Sequence, residues 1–342
     1  MRRFAFRADA DRSIGAGHVL RCRALADEIR TKGGRCSFFC KSCPVHLQLA
    51  LQRAGHEVLA IGQTRPGSSP EIEDADLLLE RSREYEAVVV DHYALSATWE
   101  SRIRSTGIRV LAIDDLMSRT HYCDWFLDQN LRSHDGYQCA VRAGPSPTMM
   151  LGPQFALLRS EFRAMRSAAQ VRPINSRVVV CLGGFDYLGL TIPIATAIKT
   201  ELGEAVSVCA ISGDKFQAAP SELERCRQLG IDLAERSTDI ATALLHADVA
   251  IGASGSMNWE RCCLGVPSLV FPIAENQLEG IEELAATRAI HRGCLETATE
   301  SAVRFASMLI DNRSELTRMS VSAFGVCDGR GATRVADTLL GL

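Results

Sequence analysis

The sequence predicts an α/β protein of two Rossmann-like domains facing each other across a cleft. Three observations lead there. Strand-length apolar runs alternate with helical patterns along the 342 residues, the rhythm of parallel sheets with crossover helices. The rhythm breaks at a proline- and glycine-rich stretch and then restarts, and the length suits two ordinary domains. Several strands also end in Asp, His, Ser, Asn or paired glycines, where open parallel sheets bind their ligands.

The first half carries apolar runs at 4–8, 36–40, 57–61, 87–91, 109–113 and 124–128. Helical patterns are clearest at 18–32 and 45–54, and Gly33-Gly34 closes the first as a C-cap. The stretch RAGPSPTMMLGPQFALLRSEFR reads as a domain joint leading into a helix. Strands then recur at 177–182, 205–211, 231–234, 248–252 and 268–272. The expected domains are 1–155 and 156–342, with the last helix a candidate to pack back on the first.

The chain is 46% hydrophobic and 23% charged, with net charge −3. That balance argues against a basic surface for nucleic acid or membrane. The start, MRRFAFRADAD, lacks the apolar core and cleavage site of a signal peptide, and no run is long enough to span a bilayer. With 13 scattered cysteines, a cytoplasmic protein with reduced thiols is expected. Cys36, Cys40 and Cys43 have the C-x3-C-x2-C spacing of radical iron–sulfur enzymes, and His46 adds a zinc reading. Alternation in RCSFFC instead puts Cys36, Phe38 and Cys40 on one face of a strand. The core reading is preferred, and neither a metal site nor a cofactor is expected.

Two stretches carry the chemistry. In RADADRSIGAGHVLRC, residues 7–22, a strand enters a loop with Gly15 and Gly17, and His18 stands at the mouth of a helix. In AIGASGSMNWERCCLGVPSLVFPIAENQ, residues 250–277, a strand runs into Gly252, Ser254, Gly255 and Ser256, and a helix begins near Met257. Small residues there let a phosphate approach backbone N–H groups at the positive end of the helix. Glu260, one turn in, is placed to accept both hydroxyls of a ribose. Plainer readings exist: N-capping for the serines, dipole complementarity for Glu260, capping or packing for His18. Asp9, Asp91, His92, Tyr93, Asp114 and Asp115 come from neighbouring strand ends. They are candidates to orient His18, to grip a sugar or to bind a divalent ion. Asp114 also reads as a structural cap, and Arg7 and Arg21 as solvated or paired to these acids.

Taken in order, RADADRSIGAGHVLRC, VVVDHY, AIDD, LGPQFALLRSEF, CLGGFD, ASGSMNWERCCLGVPSLV, AENQ and DGRGATRV span nearly the whole chain. Together they resemble the nucleotide-sugar hydrolases of pseudaminic acid synthesis, a family that includes spore-coat polysaccharide proteins. That family cleaves UDP from UDP-2,4-diacetamido-2,4,6-trideoxy-β-L-altropyranose without a metal, on the GT-B fold shared with the glycosyltransferase that builds lipid II. The resemblance implies that UDP lies mainly on the second domain. Gly183, Gly184, Gly252, Ser254, Gly255, Ser256 and Glu260 would hold the nucleotide. Gly15, Gly17, Tyr93, Asp115, Asn276 and Gln277 would face the sugar. His18 would be the general base, with Asp9 and His92 beside it. Histidine's ordinary titration range suits proton transfer near neutral pH. The chain departs from the family at Phe185, where a small hydroxyl residue is usual, at Gly189, where Asn is common, and at Asp11, often Ser. These departures point to a variant sugar. The expected partners are a UDP-sugar and water, with no nucleic acid, no membrane and a monomeric state. A GT-B glycosyltransferase using a UDP-sugar donor, a 2-epimerase and a non-catalytic nucleotide-sugar sensor are the alternatives.

Overall fold

The computed structural model describes the chain apart from residues 12–13, 63–68, 82–83, 117, 133–145, 172, 184–185, 187, 212–217 and 235–238, and the side chain of Asn276. It divides into two compact units, Met1–Ser160 with Arg330–Leu342, and Glu161–Gly329. In chain order the first holds β1 (Arg3–Ala8), α1 (Gly17–Thr31), β2 (Arg35–Cys40), α2 (Val45–Arg53), β3 (Glu57–Ala60), α3 (Pro70–Leu79), β4 (Ala87–Asp91), α4 (Ala97–Arg104), β5 (Arg109–Ile113), β6 (Trp125–Asp128) and β7 (Thr148–Leu151). Then follow α5 (Ser160–Gln170), β8 (Arg177–Cys181), α6 (Thr191–Leu202), β9 (Ser207–Ile211), α7 (Pro220–Leu229), β10 (Asp232–Ala234), α8 (Ile240–Leu245), β11 (Val249–Ala253), α9 (Met257–Cys263), β12 (Ser268–Phe271), α10 (Leu278–Ala286), β13 (Ile290–Arg292), α11 (Ala298–Asp311) and α12 (Arg313–Val326). The final helix, α13 (Gly331–Leu340), belongs to the first unit.

The first sheet runs β3-β2-β1-β4-β5-β6-β7 and every pairing is parallel. The chain winds outward from β1 to β3, then restarts beside β1 with β4. The carboxyl ends of β1 and β4 therefore flank a topological switch point, where such sheets form a crevice. The second sheet, β10-β9-β8-β11-β12-β13, is also parallel and repeats the plan with its switch between β8 and β11.

Strand alternation sorts the first core into two faces. Phe4, Phe6 and Ala8 of β1, Cys36, Phe38 and Cys40 of β2, and Ala87 and Val89 of β4 pack under α1 and α13. Ala5, Phe39, Val88 and Val90 face the other way, against Ala75 and Leu78 of α3 and Trp99 and Ile103 of α4. The same parity sends Asp91 to the α1 face, since it is the register partner of Ala8. Arg7 and Asp9 fall on the opposite parity.

Cys36 and Cys40 lie four residues apart on a strand, about 13 Å at the usual rise. The Cys36 thiol donates to the Ala26 carbonyl at 3.7 Å. The three cysteines thus do not gather in one turn. Among the described residues no group of three or more His, Cys, Asp or Glu side chains could hold a metal ion. No described helix is long and apolar enough to cross a membrane.

Two strands lay outside the sequence reading. β7 sits inside the stretch read as a joint; it is an edge strand of four residues, two of them exposed, so its alternation is too short to stand out. β13 has only three residues.

Candidate active site

The site in the first unit is built at the β1/β4 switch point. After β1, Gly15 N–H donates to the Asp11 carbonyl at 3.0 Å and Ile14 N–H to the Asp11 carboxylate at 3.0 Å. Gly15 takes φ +78°, a conformation that favours glycine. Helix α1 then opens with no side-chain cap and no acid in its first turn. A Cβ added at Gly17 would meet nothing within 4 Å, so that glycine leaves open space beside His18.

His18, Arg21 and Cys22 stand at i, i+3 and i+4, one face of α1, and that face is turned to Asp91. His18 Nδ1 lies 2.6 Å from Asp91 Oδ1. Arg21 grips the same carboxylate twice, Nε to Oδ2 at 2.6 Å and Nη2 to Oδ1 at 2.6 Å. The Cys22 thiol donates to Oδ2 at 3.7 Å. Arg21 Nη1 reaches on to Asp115 at 2.9 Å, and Tyr93 OH donates to the other Asp115 oxygen at 2.9 Å. The Tyr93 ring meets the His18 ring edge to face, centroids 4.6 Å apart.

Electrostatics fix the protons. Burial pushes the Asp91 carboxyl up, but the attraction of Arg21 and then His18, with their hydrogen bonds, outweighs it. Asp91 is held well below the usual carboxylate range. An ionised carboxylate only accepts, so the 2.6 Å contact puts a proton on His18 Nδ1. In the neutral ring the lone pair then sits on Nε2. The arrangement is a carboxylate-oriented imidazole, the pattern of a positioned general base.

Other expected residues fall elsewhere. Asp9 and His92, expected beside His18, pair with each other: His92 Nε2 is 3.2 Å from Asp9, and neither hydrogen-bonds His18. His92 Nδ1 accepts the Ala94 N–H at 3.1 Å, which leaves Nε2 as the donor to Asp9. Asp9 also accepts from Lys41 and Ser42 N–H groups at 2.7 and 3.1 Å and from Arg7 at 2.9 Å. Arg7 in turn grips buried Asp74, which also holds Trp99 Nε1 at 2.8 Å and Lys41 at 3.0 Å. The physical reason is the pleat: i and i+2 share a face, so Asp9 follows Arg7 away from α1. Asp91, absent from the expected catalytic set, takes the place beside His18. The register of β1 with β4 was the signal that could have found it. Asp114 is structural. It accepts the Leu116 N–H at 3.0 Å and, with Glu100, clamps buried His121 at 2.9 and 2.6 Å. Burial lowers the pKa of that imidazole, but bonds to Asp114 and Glu100 outweigh it and raise it to about 9.

The second candidate region stands at the β8/β11 switch point. Gly183 has φ +97°, while Gly184 and Phe185 lie outside the described residues. Asp186 caps α6, accepting N–H groups of Leu190 and Thr191 at 3.1 and 3.0 Å. After β11 the chain passes through Ser254, exposed Gly255 at φ +131° and Ser256 into α9. Ser256 stands at the N-cap but its hydroxyl makes no capping bond. Ser254 Oγ accepts from Asn258 Nδ2 at 3.1 Å. The capping reading of the two serines is therefore not what the structure shows. A Cβ at Gly255 would meet nothing within 4 Å, whereas one at Gly252 would run into the Arg261 guanidinium and the Cys181 carbonyl. Half-buried Glu260 lies in the first turn of α9. Gln277 turns its amide oxygen to the Ile273 N–H at 2.9 Å, and the side chain of Asn276 lies outside the described residues.

No family model matches the chain. Over 206 residues it is 28% identical to the UDP-2,4-diacetamido-2,4,6-trideoxy-β-L-altropyranose hydrolase of Campylobacter jejuni, a match covering 58% of this chain. It spans 66% of that relative, just under two thirds of its length. It is 23% identical over 350 aligned positions to the spore coat polysaccharide biosynthesis protein SpsG of Bacillus subtilis, covering 97% of this chain and 96% of that one. Among solved structures it is similar to MurG of Acinetobacter baumannii, with TM-score 0.66 and 17% identity over the full length of both chains. Anabaena HepE, solved with UDP and glucose, gives TM-score 0.64 and 13% identity, again over both full lengths. These likenesses show the fold, the two-sheet α/β architecture of GT-B glycosyltransferases.

Proposed function

We propose that this chain, which groups by sequence with the altropyranose hydrolase and SpsG and folds as GT-B glycosyltransferases do, is a UDP-sugar hydrolase. Its substrate is a UDP-linked 2,4-diacetamido-2,4,6-trideoxy hexose, cleaved at the anomeric carbon. The observation that carries this reading is the His18–Asp91 pair, 2.6 Å apart and clamped by Arg21 at a switch point.

His18 Nε2 takes a proton from water as the water oxygen bonds to the anomeric carbon. The bond from that carbon to the diphosphate oxygen breaks, and its electron pair leaves with UDP. Attack opposite the leaving group inverts the anomeric configuration. Ionised Asp91 stabilises the imidazolium as it forms and keeps the ring from turning, as carboxylates do for catalytic histidines. Arg21, tied to Asp91 and Asp115, fixes the carboxylate in turn. Tyr93, Asp115 and the thin Gly15–Gly17 loop border the sugar. On the second unit, the turn after β11 takes the diphosphate, Glu260 the ribose and Gly183 the rest of the nucleotide. No step calls for a metal or cofactor.

A transferase reading is favoured by one observation, the glycosyltransferases among its structural relatives. In it, the same imidazole deprotonates a sugar hydroxyl instead of water. Incubation with candidate UDP-sugars, followed by NMR, separates the two. Hydrolysis releases UDP and a free sugar without any added acceptor, the inverted anomer appearing first. UDP release that depends on an added sugar acceptor would establish the transferase instead.

A further inference from the structure

Arg261, on α9, is 1% exposed. Two other buried arginines each grip two carboxylates, Arg7 those of Asp9 and Asp74 and Arg21 those of Asp91 and Asp115. Arg261 has no ion pair among the described residues. Its Nη2 donates to the Ala253 carbonyl at 2.9 Å and to Asn258 Oδ1 at 2.5 Å, and its Nε has no hydrogen-bond partner. Guanidinium does not give up its proton in proteins, and an uncompensated buried charge is costly. Burial works against the charged form here, and the weaker attraction of Cys262, Cys181 and Glu260 does not restore it.

The position of this charge is specific. The guanidinium lies against Gly252 and bonds the carbonyl of Ala253, the last residue before the turn. Asn258 carries the polarity outward. Its Oδ1 accepts from Arg261, and its Nδ2 donates to Ser254 Oγ at 3.1 Å. With its lone pair engaged, the Ser254 hydroxyl has its proton to offer, and no described residue accepts it. The relay ends in an O–H donor on a partly exposed turn that also holds exposed Gly255.

We propose that Arg261 is a positioning residue for a diphosphate, the buried counter-charge of an anion seated on the turn between β11 and α9, acting through Asn258 and Ser254. The inference rests on the nucleotide assignment made above for that turn, and adds the group that selects a charged diphosphate over an uncharged nucleoside. The anion that no described residue pairs with Arg261 is the ligand's.

The test is titration of UDP and of uridine against the wild type, Arg261→Gln and Ser254→Ala. The wild type should prefer UDP strongly. Arg261→Gln should lower UDP affinity tenfold or more and leave uridine affinity within a factor of two. Ser254→Ala, which leaves the buried cation in place, should lose part of the same preference. A merely structural arginine would lower the melting temperature of the free protein and leave the UDP-to-uridine ratio unchanged. That result in a folded Arg261→Gln protein overturns the inference while the nucleotide site stands. Should Arg261→Gln fail to fold, an unchanged ratio in Ser254→Ala overturns the relay. A wild type that binds neither ligand overturns the nucleotide assignment itself, and this inference with it.

Discussion

Replacing Asp91 by Asn strikes the candidate base through the group that aims it. Asp91 is fully buried and accepts three bonds of 2.6 Å, one from His18 and two from Arg21. An amide keeps one acceptor oxygen and turns an NH2 group toward a donor. Either the ring loses its Nδ1 acceptor or Arg21 faces a hydrogen. Breaking a buried charged pair costs about 3–5 kcal/mol; Arg21 retains Asp115, which places the expected loss of stability at the lower end, about 3 kcal/mol. For activity, a positioned general base is worth about 10²–10⁴ in turnover. Asp91 acts on the reaction only through His18, so Asp91→Asn, His18→Asn and the double variant should all fall into that range together, because residues that act as a unit are not additive. The assay is the rate of UDP release at saturating substrate, with urea unfolding run alongside to confirm that each variant is folded. A folded Asp91→Asn enzyme with turnover within about threefold of wild type, or a double variant as slow as the product of the two single losses, would refute the coupling.

Glu260→Ala should weaken UDP binding about 10-fold or more, the usual worth of hydrogen bonds to a charged group, while His18→Asn should bind UDP nearly as wild type does; calorimetric titration of both variants reads the difference. The Glu100–His121–Asp114 clamp should give a pH-dependent stability. The folded pKa of His121 is raised to about 9, above the free value near 6.5, so its contribution is complete below about pH 6.5 and is lost as pH rises through about 9. The gap corresponds to about 3 kcal/mol. Urea unfolding of wild type and His121→Asn should therefore differ most near pH 6 and converge above pH 9. A difference that stays constant across that range would show that the imidazolium is not what the clamp holds.

The rhythm of strands and helices and the turn after β11 were legible because both are local. Apolar runs mark strands, and small residues between a strand and a helix mark a turn. Asp91 was harder to choose over Asp9. Both end strands, and only the pleat parity set by Phe4, Phe6 and Ala8 on one face and Arg7 on the other separates them. Once β1 is known to pair with β4 in register Ala8 to Asp91, the choice follows. Arg261 carries no such sign in the sequence. A helix period places it on a buried face, but whether a carboxylate meets it there depends on elements distant in the chain. β7 and β13 were hidden for a simpler reason, since three or four residues at a sheet edge hold too little alternation to distinguish a strand from a loop.

The central claim is that water, aimed by His18, breaks the bond between the anomeric carbon and the diphosphate oxygen. Turnover of the UDP-linked sugar in ¹⁸O-enriched water, with both products examined by mass spectrometry and NMR, tests it most directly. The account predicts one ¹⁸O atom in the hydroxyl of the first-formed free sugar, measured before exchange through the open-chain form, and none in UDP. Label found in the terminal phosphate of UDP instead would mean cleavage at phosphorus, and would contradict it.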